Sequence, residues 1–355
     1  MHLHRQWLNT APKTDRKQKV CKLFLKKQLS LITGLQRWLR YPVLAALFLF
    51  LQVSEAQAQS AGSTQLLSGV STTLSTNRGI PVGLILDKQD SPYLFWAELG
   101  GGKLHLLERT ETGSYLTLTT TPISIGKAGF GKEIEGDLKT PVGIYKIISF
   151  LNDDQLTDKY GTGAYPLNYP NKWDQIKKRT GHGIWLHGLP KGVTERPLLD
   201  SDGCVVISNN ILDELNKYIN IGESTFVLSE KLEWLPPEAP QPEHDLIGTL
   251  NAWKKDWSAN DNDAYLNHYH PDFTDSRRNL TQWKTYKKRI NKAKQNIRIK
   301  LSQLSIIAYP GEENLVSSRF YQDYQSSDFS WRGWKQLLWR RIDNGEWKIL
   351  YEGNG

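Results

Sequence analysis

The sequence predicts an α+β fold in two unequal parts, a mainly β part followed by a smaller α+β part. Three observations carry this. Short β-prone runs recur from Ile80 to Ile148 between turn residues. Pro236-Pro-Glu-Ala-Pro-Gln-Pro242 is a stiff proline-rich linker. Beyond it, helical periodicity comes first and strand-like runs follow, as in folds whose helices and strands are segregated. The 355 residues suffice for about two domains.

The elements follow in chain order. Residues 1–58 read as a signal peptide or N-terminal anchor. A basic segment precedes Trp38, an apolar run spans Tyr41 to Val53, and Ala56-Gln-Ala58 offers a small-residue cleavage site. The apolar run is short for a membrane span. Export to the periplasm is therefore expected, and cleavage would remove Cys21. Residues 59–78, rich in Ser, Thr, Gly and Gln, are expected to be a flexible lead-in.

The first domain is expected over 79–232. Its strand candidates are Val82–Leu86, Tyr93–Leu99, Lys103–Arg109, Tyr115–Ile125 and Thr140–Ile148. A polar Gly/Asn/Pro-rich stretch at 152–181 is long for a connection and is expected to line a functional cleft without a core of its own. Ile184–His187 reads as a short buried strand. Ser208-Asn209 can cap a helix over Ile211–Ile219, and Thr225–Ser229 closes the domain as a strand. The linker covers 233–243. The second domain, 244–355, has helical patterns at 244–259, 261–269 and 281–295. Strand runs follow at 297–308, 314–324, 331–342 and 346–351, with Asp343-Asn-Gly-Glu346 as a hairpin turn.

The charge of +8 is concentrated near the start. Residues 1–58 hold ten of the 45 Lys/Arg against two acids, and 59–355 hold 35 of each sign. That balance gives no general nucleic-acid footprint. The basic run Lys284–Lys300 reads as a solvated helix face. Seven of thirteen tryptophans lie beyond residue 250.

If the signal is cleaved, Cys204 is the one cysteine that remains, so it has no internal disulfide partner. It lies in Ser201-Asp-Gly-Cys204, downstream of Ile184-Trp-Leu-His187-Gly188. A thiol attacks as thiolate and needs a base or a lowered pKa. His187 can take the thiol proton and return it to a leaving amine. Gly203 permits a tight turn that brings a backbone N–H to the reacting carbonyl, and Ser201 can hold that turn. The competing reading is a buried structural thiol beside Val205 and Val206. A zinc site from His182, His187 and Cys204 lacks a clear fourth group, so no metal or cofactor is expected. Gly126–Lys132 superficially resembles a phosphate loop but has Glu133 where Ser or Thr belongs; it reads as a flexible loop beside the cleft.

Gly136-Asp-Leu-Lys-Thr140-Pro-Val-Gly143-Ile-Tyr145, Ile184-Trp-Leu-His187-Gly188 and Ser201-Asp-Gly203-Cys204 together resemble, in order and spacing, the elements of L,D-transpeptidase (YkuD-type) catalytic domains. The match covers roughly 80–230. The resemblance implies curved mixed sheets with short helices. It implies Cys204 as nucleophile, His187 as base, and Gly188 orienting the imidazole through its carbonyl. Ser201, Gly203 and Cys204 would shape the turn and the oxyanion hole. Two positions depart from the family: Asp202 stands where many members have His, and Val206 where many have Arg or Asn. Arg196, Asp202 and His182 are the weaker candidates for substrate contact, with Lys191 beside Arg196. Asp202 close to the thiol would raise its pKa.

Residues 244–355 resemble the nuclear-transport-factor-2-like (SnoaL-like) fold, which implies a cone with a pocket. Its aromatic ending, Trp331 to Tyr351, suits either a glycan strand or simple core packing. The expectation is a periplasmic cysteine acyltransferase acting on peptidoglycan stem peptides, either an L,D-transpeptidase or an L,D-carboxypeptidase. A non-catalytic wall-binding protein and a zinc peptidase are the competing classes.

Overall fold

The computed structural model describes residues 78–238 and 245–355. The expected signal or anchor, Cys21, all but the last residue of the lead-in and the centre of the proline-rich linker lie outside them. Among the described residues no helix is long and apolar enough to cross a membrane. All of them belong to one compact unit, Leu67–Gly355.

The first half runs β1 (Arg78–Pro81), β2 (Leu84–Asp87), β3 (Tyr93–Glu98), β4 (Lys103–Arg109), β5 (Tyr115–Pro122), β6 (Ile125–Gly126), β7 (Gly143–Lys146), β8 (Leu151–Asn152), β9 (Gly163–Pro166), α1 (Lys172–Ile176), β10 (Trp185–Gly188), β11 (Leu199–Ser201), β12 (Val205–Ile207), α2 (Asn209–Leu215), β13 (Thr225–Ser229) and β14 (Trp234–Leu235). The second half runs α3 (Asp245–Ser258), α4 (Asn262–Asn267), β15 (Tyr269–Thr274), α5 (Leu280–Asn291), β16 (Arg298–Ala308), β17 (Leu315–Gln325), β18 (Ser330–Arg341) and β19 (Trp347–Asn354).

A seven-stranded sheet has the order β14-β1-β5-β4-β3-β13-β7. β3 and β13 are covered on both faces, so their sequences are largely apolar. Phe95 and Ala97 of β3, with Phe226 and Leu228 of β13, enter the main core. Leu94, Trp96 and Val227 point the other way into a second cluster. The main core lies between this sheet and the smaller sheet β12-β10-β9-β8, which contributes Tyr165, Leu186, Val205 and Ile207. Ile211, Leu212 and Leu215 of α2 close it. This mixed, mainly β architecture is the one expected.

Three elements differ from the sequence reading. The stretch 152–181 is not a structureless loop: β9 pairs with β10, Tyr165, Leu167 and Tyr169 enter the main core, and Trp173 and Asp174 of α1 are buried. Short strands and helices broken by Gly and Pro give no periodicity to find. The strand expected over Val82–Leu86 forms as β2 but pairs with β16, at the edge of the second half's sheet. Ile85 joins the core of that sheet. Trp234 and Leu235, read as linker, form β14 and pair with β1.

In the second half, six strands in the order β15-β19-β18-β17-β16-β2 form one sheet, and α3, α4 and α5 share a core with it. Trp253, Trp257, Trp283, Trp339 and Trp347 are buried there, so most of these tryptophans are packing. Lys287, read as part of a solvated face, is only 5% exposed. Its ammonium sits 4.6 Å from the Trp257 ring centroid and 4.5 Å from that of Trp283. Desolvation first, with Lys335 adding to it and Glu352 opposing, brings its pKa down to about 8. The halves meet through Trp173, Tyr309, Leu315, Leu338 and Leu350. Trp173 Nε1 donates to Glu312 at 2.8 Å, and Asn171 Nδ2 donates to the Tyr309 hydroxyl at 2.7 Å.

Candidate active site

β10 and β12 are parallel neighbours, with Leu186 beside Val205 and His187 beside Val206. Cys204 immediately precedes β12 and so lies alongside Trp185. Period-two alternation puts Cys204 on the side of the sheet that carries Val206 and His187. Both groups sense the charges of Lys159 and Arg196. The thiol and the imidazole thus share one site at the end of the small sheet.

His187 is buried, and its Nδ1 lies 2.7 Å from the Gly188 carbonyl oxygen. That oxygen only accepts, so Nδ1 carries the proton and Nε2 remains the basic nitrogen. Tyr160 packs edge-on against the ring, with centroids 5.1 Å apart. Desolvation lowers the imidazole pKa to about 4; the Gly188 carbonyl opposes this, and Arg196 and Lys159 add to it. The base is therefore neutral and ready to accept a proton at neutral pH.

Cys204 is half-buried, and its thiol donates to Gly183 O at 3.4 Å. Desolvation raises its pKa; the Trp185 N–H and Lys159 pull it back, and Asp202 pushes it up again. The effect expected of Asp202 is present, but it is countered. Asp202 is exposed and pairs with Lys127 at 3.0 Å and Lys159 at 3.1 Å, which hold its own pKa down. The loop from Gly126, which supplies Lys127, does lie beside this site.

The turn before the cysteine is internally braced. The Ser201 hydroxyl accepts from Gly203 N–H at 3.1 Å and donates to Cys204 O at 2.7 Å. Gly203 has φ +124°, and a Cβ there would lie 2.8 Å from Lys139 O. Only glycine fits without strain. Thr140 is fully buried; its hydroxyl donates to Gly203 O at 3.0 Å and accepts from Gly126 N–H at 2.9 Å. The Thr-Pro-x-Gly element therefore supports the cysteine turn from behind.

The remaining candidates divide. Arg196 is held by Asp200, through Nε to Oδ2 at 2.7 Å and through Nη2 to the backbone carbonyl. It acts on the pair as a nearby charge. Lys191 is paired with Asp153 and Asp158 on the surface. His182 lies three residues before β10 and is exposed, 3.6 Å from Glu135. Val206 is buried and bridges to Ser124, so this position packs rather than presenting a charge. Among the described residues no three of His, Cys, Asp and Glu converge as a metal-ligand set.

One residue that matters here is not singled out by the sequence, and a second reads there only as part of a helix cap. Lys159, from the 152–181 stretch, reaches the site across a fold that local patterning does not reveal. Asn209 is the first residue of α2; of the expected cap Ser208-Asn209, Ser208 makes no side-chain cap bond. The Asn209 carboxamide accepts from Thr162 N–H at 3.1 Å and donates to Leu189 O at 3.0 Å. A Cβ on Gly161 or Gly188 would overlap its Oδ1. The absence of a side chain at Gly188 therefore makes room for Asn209 directly after the catalytic candidate His187.

Residues 103–228 match the family model of the L,D-transpeptidase catalytic domain (YkuD), and 245–353 match the Cds6 C-terminal NTF2-like domain. Bd1075 of Bdellovibrio bacteriovorus superposes with a TM-score of 0.65 at 27% identity, over 77% of this chain and 97% of its own. The helical cell shape determining protein Pgp2 of Campylobacter jejuni gives 0.63 at 29% identity, over 76% and 94%. No curated protein matches the chain.

Proposed function

From a chain whose residues 103–228 form an L,D-transpeptidase-type domain and whose residues 245–353 form an NTF2-like domain, we propose a periplasmic enzyme that acts on peptidoglycan stem peptides through a Cys204 acyl-enzyme. The observation that supports this reading is a half-buried thiol just before β12 and, on the neighbouring strand β10, a neutral imidazole whose Nδ1–H is fixed by Gly188 O.

The chemistry follows from that geometry. Burial keeps both groups neutral at rest, so proton transfer accompanies attack. His187 Nε2 takes the thiol proton as the sulfur adds to the carbonyl of the third stem residue, an L-centre. Lys159 favours the forming thiolate, as its charge already does at rest. Gly203 N–H is used inside the turn, which leaves the Cys204 N–H as the nearer donor for the oxyanion. Collapse breaks the bond to the terminal D-Ala, whose amine takes the proton from His187. Water or a second stem amine then resolves the thioester. With water the enzyme is an L,D-carboxypeptidase, and with an amine an L,D-transpeptidase.

A role in cell shape is supported by the likeness, across both domains, to a protein described as a cell shape determinant. The Arg or Asn seen after the cysteine in many family members is here the buried Val206, so any anion contact at the cleft falls to Lys159 and Lys127. Purified protein incubated with tetrapeptide muropeptides is expected to release D-Ala; dimers alongside it indicate transfer, and tripeptide indicates trimming. Neither product, with Cys204→Ala indistinguishable from wild type, returns the protein to the non-catalytic wall-binding class.

A further inference from the structure

A cavity of about 240 Å³ lies between the two halves, and its walls include neither Cys204 nor His187. One wall is β7 and the segment through α1. The other is the face of β16, β17 and β18 that carries Ser317 and Arg319. Val316, Phe320 and Tyr324, on the opposite face of β17, fill the second half's own core. The cavity is therefore separate from both the cysteine site and the interior of the NTF2-like domain.

The charged side chains that line it are all basic. Lys146, Lys172 and Arg319 face it, and no Asp or Glu does. Arg319 is 7% exposed and stacks on Trp334, 3.5 Å from the ring centroid. One guanidinium nitrogen, Nη2, donates to Gly222 O at 3.3 Å; Nε and Nη1 are buried and have no partner. Lys146 donates to Glu223 O at 3.2 Å and has its ammonium 5.8 Å from the same Trp334 ring. Desolvation and then the Arg319 charge depress the Lys146 pKa to about 6, with Glu223 opposing. Desolvation likewise lowers Arg319 to about 10, again opposed by Glu223. Glu223 is exposed and outside the lining, so it compensates only at a distance. Asn168 has its Oδ1 taken by Lys146 N–H, which leaves its amide NH₂ as a donor, and Gln336 donates to Ser317 at 3.0 Å.

A guanidinium and a lysine amine held together in a desolvated space, with two guanidinium nitrogens unpartnered, are costly unless an anion completes them. Arginine is also the residue best shaped to take carboxylate or phosphate. We propose that this cavity is a binding site for a small polar anion, a carboxylate or phosphate carried on a body of monosaccharide or amino-acid size. The amides of Asn168 and Gln336 address that body, and Arg319 holds its charged group. The site joins the two halves and is independent of the cysteine chemistry.

The test is calorimetry and ¹⁵N NMR of the Arg319 Nε–H, with glucose 6-phosphate, glucuronate and neutral glucose as probes. Saturable binding of one or both anions with a shift of that resonance is expected, and the arm that binds identifies the charged group. Glucose should not bind. Arg319→Gln should weaken binding at least tenfold, and Lys146→Met, placed on the other half, several-fold if Arg319→Gln does not fold. No saturable anion binding, equal binding of glucose, or unchanged affinity in a folded variant each overturns the proposal.

Discussion

The Thr140 hydroxyl donates to the Gly203 carbonyl at 3.0 Å, joining two motifs that are 63 residues apart. Through it, the Thr-Pro-x-Gly element fixes the peptide that precedes the cysteine. Thr140→Val keeps the shape but leaves Gly203 O and Gly126 N–H without their partner, at about 1–3 kcal/mol each. Muropeptide turnover is expected to fall more than tenfold with the fold retained, and Thr140→Ser to restore most of it. Equal loss in both variants would show that the methyl packing matters and the hydroxyl does not.

The Gly188–Asn209 contact predicts a non-additive pair. Gly188→Ala puts a methyl where the Asn209 carboxamide sits. Asn209→Ala alone gives up two hydrogen bonds, roughly 1–3 kcal/mol. The double variant should be less destabilised than the sum of the singles in urea unfolding, because removing the carboxamide vacates the space. Strict additivity would separate the two positions.

His187 sets a pH signature. Its pKa in the folded protein is about 4, below the ordinary 6.5. The unfolded chain therefore binds more protons between those values, and stability falls as pH drops through that window. The full shift corresponds to roughly 3 kcal/mol. His187→Gln should lose less stability than wild type between pH 6.5 and 4 in denaturant titrations. In the wild-type enzyme the acid limb of kcat/KM should lie near pH 4 rather than 6.5, provided the protein stays folded.

Asp202 is a brake on the thiol. Its charge raises the Cys204 pKa, and it also occupies Lys159 and Lys127. Asp202→Asn is expected to speed alkylation of Cys204 at pH 7 a few-fold, and Lys159→Met to slow it. Both effects should shrink in 1 M salt, since these groups are half in solvent. A faster reaction for Lys159→Met would reverse the assigned roles.

Much of this was legible in the chain. The strands Lys103–Arg109 and Thr225–Ser229 form with the bounds expected, and the four long C-terminal strands fall within a few residues of theirs, because burial on one or both faces writes a period into the sequence. Ser201, Gly203 and Cys204 form one turn because they are consecutive in the chain, whereas His187 and Gly188 come beside it only through the pairing of β10 with β12. The solvated reading of Lys287 failed because helical periodicity does not say that three aromatic rings will surround an ammonium.

The sequence by itself determined the α+β order, the motif set and the chemistry that a thiol and an imidazole allow. Tertiary structure decided what long-range pairing controls. It placed β2 in the second half's sheet, brought Lys159 to the thiol, lodged Asn209 between two glycines, and set Arg319 beside Lys146. Each of these joins residues far apart in the chain. Such contacts depend on how sheets pack and close, and no local period records them.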